Sequence, residues 1–215
     1  MSQRLVTICT LATIVLAPAA LAAQAKFEGT VTAHLVAAQG GTDATYFIKG
    51  TQFRMEITAG NGMSMYLLKQ NADAPAMMVM PAQRMYMEMP AAQAAAAQSA
   101  AEHKTTDVKA TGKKETIAGV ECEHFLITSD EGGQYDACLA KGLGTFMMAG
   151  NPMGRGRGTT PGPWSKLTAD AFPLRVQEVG KALTFEVTKI EKKSLGDDLF
   201  KVPDGFQKMS MPGRP

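Results

Sequence analysis

The chain has 215 residues, and its 22 Lys and Arg against 20 Asp and Glu leave a formal net charge of +2. So even a balance excludes the broad electrostatic footprint that nucleic acid or an acidic membrane surface requires of a partner. The three cysteines and fifteen methionines carry more information.

Residues 1–25 read as a cleavable signal peptide. Arg4 supplies the positive start, Leu5 to Leu16 the apolar run, and Ala23-Gln24-Ala25 the small-x-small cleavage pattern. Cleavage there starts the mature chain at Lys26, with Ala22 and Ala23 as neighbouring alternatives. The run is shorter than the ~20 residues of a membrane span, and no later stretch qualifies. Cys9 lies inside the leader without the small-residue context of a lipoprotein site, so no acyl anchor is expected. The expected location is the periplasm or the exterior. The remainder, 26–215, suits a single domain with a sizeable core.

From Lys26 to Ala37, Phe27, Gly29, Val31, Ala33 and Leu35 alternate with Glu28, Thr30, Thr32 and His34, which predicts a half-buried strand. Further strands follow at 44–50, at 52–58 (Phe53, Met55 and Ile57 on one face) and at 63–70, with Gly60-Asn61-Gly62 as a hairpin signal. Asn71 to Pro75 turns into AMMVMPAQRMYMEMP (76–90), where Met85, Met87 and Met89 alternate with Tyr86 and Glu88, so three thioethers share one face. The first half is therefore an antiparallel meander of about six strands.

The alanine-rich insertion 91–103 has the propensity of a helix, with a low-complexity linker as the alternative. Lys104 to Glu115 is polar and basic, and strand pairing is expected to resume at Ile117. GVECEHFLIT (119–128) and QYDACLAK (134–141) form a predicted hairpin about Asp130. That register sets Cys122 opposite Cys138, which favours a disulfide worth ~3 kcal/mol over a redox-active pair, whose cysteines are usually closer in sequence. LGTFMMA (143–149) is predicted as a short apolar helix, and 150–163 as a flexible Gly/Pro/Arg loop before Trp164. FPLRVQEVG (172–180) and ALTFEVTKIEKK (182–193) are paired strands. Ser194, with Asp197 three residues on, predicts an N-capped helical turn. The sum is a mainly β fold with minor α: an antiparallel curved sheet or half-barrel of about nine to eleven strands, with one or two helices over the concave face.

MYMEM (85–89), ETIAGVECEHFLIT (115–128) and FPLRV…FEVTKIEKKSLGDDLFKVPDGFQKM (172–209) together resemble the bacterial family labelled domain of unknown function 4412. The tail also resembles, more distantly, the outer-membrane lipoprotein carriers (LolA/LolB-like). That resemblance implies a half-barrel closed by helices over an apolar cavity for acyl chains. It implies no catalytic residue. The insertion 91–103 and the loop 150–163 depart from the family pattern.

Three readings of function follow. The first is a non-enzymatic binding protein for a lipid, an acyl chain or a lipidated protein, with Phe53, Met55, Met63, Met65, Met78, Met80, Met85, Met87 and Met89 lining the cavity. Its alternative is an interaction module in which those side chains simply fill the core. The second is a soft-metal protein, since Met-x-Met recurs at 63/65, 85/87/89 and 209/211 and thioethers select Cu(I). Histidine offers that site little: His34 and His103 have no ligand spacing, and His124 neighbours a cysteine expected in a disulfide. The third, an enzyme, lacks any nucleophile elbow, phosphate loop or zinc-binding helix motif. The carboxylate pairs Asp197/Asp198 and Glu121/Glu123 read as solvated charges. No catalytic residue, cofactor, resident metal or protein partner is assigned.

Overall fold

A computed structural model of the chain describes residues 27–37, 40–58, 64–71, 73–89, 105–129, 133–144, 146, 148–149, 159–160, 171–181 and 183–209. The signal peptide, Met63, the insertion 91–103, Trp164 and all but 159–160 of the loop 150–163 lie outside those residues.

The expected meander forms β1 (Glu28–Ala37), β2 (Gly40–Lys49), β3 (Gln52–Thr58), β4 (Ser64–Lys69), β5 (Met77–Met80) and β6 (Met85–Glu88). A second run comprises β7 (Thr105–Ile117), β8 (Val120–Ser129) and β9 (Gln134–Ala140), and a third β12 (Phe172–Glu178) and β13 (Leu183–Lys192). With the short β14 (Gln207–Lys208) they make one twelve-stranded sheet in the order β14-β6-β5-β4-β3-β2-β1-β13-β12-β9-β8-β7. Every pairing is antiparallel except β14 with β6. β10 (Met148–Ala149) and β11 (Thr159–Thr160) form a separate ladder.

The sheet curves without closing into a barrel. β2 and β12 stand three places apart, about 14 Å in a flat sheet. Yet the rings of Tyr46 and Phe172 meet at 5.7 Å between centroids. Phe146, from the segment after β9, sits between them at 5.7 Å from Tyr46, 5.1 Å from Phe172 and 5.4 Å from Phe185. This aromatic cluster fills the middle of the concave face, with Val31, Ile48, Leu174 and Val187 buried around it. The Tyr46 hydroxyl is buried there with no hydrogen-bond partner among the described residues, and burial pushes its pKa upward.

A second core lies on the convex face. Tyr66 and Leu68 of β4 and Met77 and Val79 of β5 point away from the concave side and are covered by Leu195 and Phe200 of the segment after β13. Lys49 fastens that segment by donating to the Leu195 carbonyl at 2.8 Å, and the Glu28 carboxylate accepts from the Leu195 amide at 2.7 Å. Arg54 lies over the Tyr66 ring, 3.8 Å from its centroid, and donates to the Leu199 carbonyl at 3.1 Å.

Several local expectations are corrected. The polar stretch before Ile117 is not a connection but the thirteen-residue edge strand β7. As an edge it needs no apolar alternation, and its exposed lysines and two register shifts suit a strand that must not recruit another. The segment 115–128 is two strands, turned at Ala118 and Gly119, both at positive φ, as a two-residue hairpin turn requires. Cys138 pairs in register with His124 rather than Cys122, so the hairpin is centred one residue later than expected. The disulfide still forms, across a diagonal with Cα atoms 5.4 Å apart.

No helix occupies the described part of 143–149, where Met148 and Ala149 belong to β10. The turn after β13 is a 3₁₀ turn at Asp197–Phe200, preceded by Gly196 with no side-chain cap. Ser194 instead donates to Glu28 at 3.3 Å. The other described helical element is the 3₁₀ turn Pro81–Gln83. Among the described residues no helix is long and apolar enough to cross a membrane.

Two stability tests follow. Phe200→Ala should lower the unfolding free energy by about 3–5 kcal/mol in urea titration, because it empties the centre of the convex core. Tyr46→Phe should raise it, by up to about 1–3 kcal/mol, because it deletes an unpaired buried hydroxyl without changing the ring. A loss of stability in the second variant would show that the hydroxyl has a partner.

Candidate functional site

Alternation and register place the candidate lining residues on one face. β3 presents Phe53, Met55 and Ile57 inward, opposite Ile48, Tyr46 and Ala44 of β2. Met55 pairs with Leu67, Leu67 with Met78, and Met78 with Met87, forming a continuous concave row across β3 to β6. The adjoining row carries Ile57 paired with Met65, and Met80 paired with Met85. Met89 follows β6, its amide donating to the Ala76 carbonyl at 2.8 Å.

Burial divides this set. Phe53 and Met55, 5% and 1% exposed, are built into the concave core. Met78 and Met89 are half-buried against it. Met65, Met80, Met85 and Met87 are half-buried, and among the described residues they stand outside that core cluster. The face thus grades from a packed aromatic centre to an outer methionine surface. Met63 lies outside the described residues.

The convex face carries a polar network that reading the sequence alone did not find. Register lines up His124, Cys138, Arg175, Glu186, His34 and Asp43 across six strands. His124 is buried, with Nδ1 2.7 Å from Asp136 Oδ1 and Nε2 3.1 Å from Glu115 Oε2. The ring forms both bonds when it carries both protons, since an ionised carboxylate only accepts. Arg175 donates to both Glu115 oxygens, at 2.6 and 2.8 Å, and to Glu186 at 2.6 Å. The network therefore ties β7, β8, β9, β12 and β13 together beside the disulfide.

Glu115, His124 and Cys138 each offer a donor atom within 4.8 Å of the others. They make a poor metal site, because the Cys138 sulfur is bonded to Cys122 and the carboxylate and imidazole are already engaged. No pattern in the sequence signals this network; only strand register assembles it.

A cleft of about 310 Å³ opens along β8 and β9, over Phe125, Leu139 and Ala171, with Lys114, Glu121 and Glu123 at its sides. Glu121 is exposed and paired with Lys114 at 2.9 Å, while Glu123 is half-buried rather than solvated.

These features define a curved, open antiparallel-sheet protein with a core on each face and an outer methionine surface. The chain belongs to the family described as Domain of unknown function (DUF4412), whose model matches residues 27–206. A comparison with curated proteins gave no match.

Among solved structures, the chain is similar to one titled "Crystal structure of MucB", at 13% identity and a TM-score of 0.35. It is also similar to "Structure of PNGF-II in C2 space group", at 14% identity and the same TM-score of 0.35. The first match covers 84% of this chain and 58% of that one; the second covers 83% and 30%. The chain thus spans less than two thirds of either. Likenesses at that TM-score fix neither fold nor function.

The network has a pH signature. Hydrogen bonds from Arg175, then from His124, hold the Glu115 carboxyl below its ordinary value of 4.5, against the opposing effect of burial. A carboxyl lowered in the folded state contributes stability that is complete above the unfolded value and lost as pH falls through the folded one. The urea midpoint should therefore drop as pH falls below about 4.5, and less steeply in Glu115→Gln than in the wild type. Equal slopes in the two proteins would show that Glu115 is not part of the acid response.

Proposed function

We propose that the protein is an exported, non-enzymatic binding protein that holds an apolar ligand against the outer methionine surface of β4–β6. The ligand class is a lipid, an acyl chain or the acyl group of a lipidated protein. The observation that carries this reading is the position of Met65, Met80, Met85 and Met87. They share a face with the concave core yet remain half-buried at its open side. Unbranched thioether side chains mould to ligands of different shape at little cost in strain.

Export is supported by the N-terminal leader pattern and by a disulfide, which persists in oxidising compartments. A non-enzymatic role is supported by the titratable network on the convex face, where each charged group already has partners. Phe53 and Met55, although on the same face, are committed to packing, and this narrows the ligand surface to the outer residues.

The test is native mass spectrometry of the mature protein purified without detergent. Adducts at lipid or fatty-acid masses are expected, and the double variant Met85→Gln, Met87→Gln should weaken binding of a fluorescent fatty acid by at least about tenfold. A bare mass, with no fatty-acid binding on addition, would instead make the methionines core filler and the protein an interaction module.

A further inference from the structure

We propose that Met65, Met80 and Met85 form a binding site for one soft monovalent cation, Cu(I) or Ag(I). Three observations converge on this row. Met80 and Met85 are directly opposed across the β5–β6 ladder, a relationship that sets Cβ atoms about 4.5–5.5 Å apart. Tyr66 pairs with Val79, so the same register carried one residue further sets Met65 beside Met80. All three side chains lie on the concave face, half-buried, and among the described residues none joins the main core cluster.

Each thioether has three rotatable bonds, so three sulfurs rooted on adjacent strands can turn to one point. The parallel row, Leu67–Met78–Met87, has leucine in the β4 position and offers only two sulfurs. The row with methionine on all three strands is therefore the one that completes a three-sulfur site.

The backbone beneath it is held from the other side. Tyr66 and Val79 are buried in the convex core, and Tyr86 packs against it. The hairpin is closed by the 3₁₀ turn Pro81–Gln83, with Arg84 in the left-handed region. β14 pins its outer edge, where the Gln207 amide donates to the Arg84 carbonyl at 2.8 Å and the Met209 amide to the Tyr86 carbonyl at 2.7 Å. The roots of the three side chains are thus fixed while their ends stay adaptable.

Neutral thioether donors select Cu(I) and discriminate against Zn(II), Mg(II) and Ca(II), which need nitrogen, oxygen or thiolate. The buried His124 lies in the polar row of the opposite face and takes no part.

The site can be separated from apolar binding by a conservative exchange. Leucine keeps the apolar volume of methionine but removes the sulfur. The experiment uses the mature protein with ¹³C-labelled methionine methyl groups, titrated with Ag(I) by NMR. Cu(I) affinity is measured in parallel by anaerobic competition with a chromogenic chelator. One equivalent should bind, shifting three methyl signals that are assigned by their absence in Met65→Leu, Met80→Leu and Met85→Leu.

Each of those variants should bind Cu(I) at least tenfold more weakly than the wild type. Met55→Leu, in the core, should bind metal as the wild type does. The proposal is overturned if the wild type takes up no metal, if the shifted methyls belong to other methionines, or if the three variants keep wild-type Cu(I) affinity. Should a variant fail to fold, its methyl signal is assigned in the wild type from through-space contacts to neighbouring protons, and the Ag(I)-induced shifts decide the question.

Discussion

The pairing of β1 with β13 is the seam on which the architecture depends. It joins the first meander, β1 to β6, to the strands made by the second half of the chain. The approach is close at one point: a Cβ on Gly29 would stand 2.0 Å from the Glu191 carbonyl oxygen, so only glycine fits there. With the seam closed, Tyr46 on one side of it and Phe172 and Phe185 on the other can share the Phe146 ring. Curvature and aromatic packing therefore reinforce each other, and the sheet is most strongly held near β2, β1, β13 and β12.

The methionine strands lie away from that seam, toward the β14 edge. A sheet extending so far past its main core needs support from elsewhere, and the convex core supplies it. Residues 195–206 cross the back of β4 to β6 and bury Tyr66, Leu68, Met77 and Val79. Arg54 links the two layers through its stacking on Tyr66 and its bond to the Leu199 carbonyl. The two sides of β5 and β6 thus have different tasks. Val79 and Met77 fix the strands in place, while Met80, Met85 and Met87 on the other side stand half-buried outside the concave core cluster.

What could be read in the sequence was whatever alternation encodes. The strands β2, β3, β5 and β13 each bury mainly one face, so their period of two was visible, as was the shared face of Met85, Met87 and Met89. β7 was not legible because an exposed edge strand carries no apolar pattern, and Lys109, Lys113 and Lys114 made it look like a connection. The turn at Ala118 escaped because alanine is not a residue expected at positive φ. Leu195 and Phe200 gave no signal, since an irregular segment buries side chains without a period. Register was the deeper gap. It alone brings Glu115, His124, Asp136 and Arg175 together, and it alone sets Met80 against Met85.

The distribution of side chains bears on the ligand surface proposed for the methionines. Where the sheet curves most, the core is made of residues with few rotamers: Val31, Ile48, Leu174, Val187 and the aromatic cluster. Such residues specify a single packing arrangement, whereas methionine specifies it poorly because its side chain costs little to rearrange. Among the described methionines, only Met55 and Met77 are buried outright, one in each core. Of the rest on β4 to β6, Met65, Met80, Met85 and Met87 stand outside the concave core cluster, where a rigid aliphatic side chain would pack as well if packing were the only demand. A surface meant to stay closed gains nothing from flexibility, but a surface meant to meet a guest does. The segregation of rigid residues to the seam and flexible thioethers to the rim is therefore the physical reason to look for a guest at the rim.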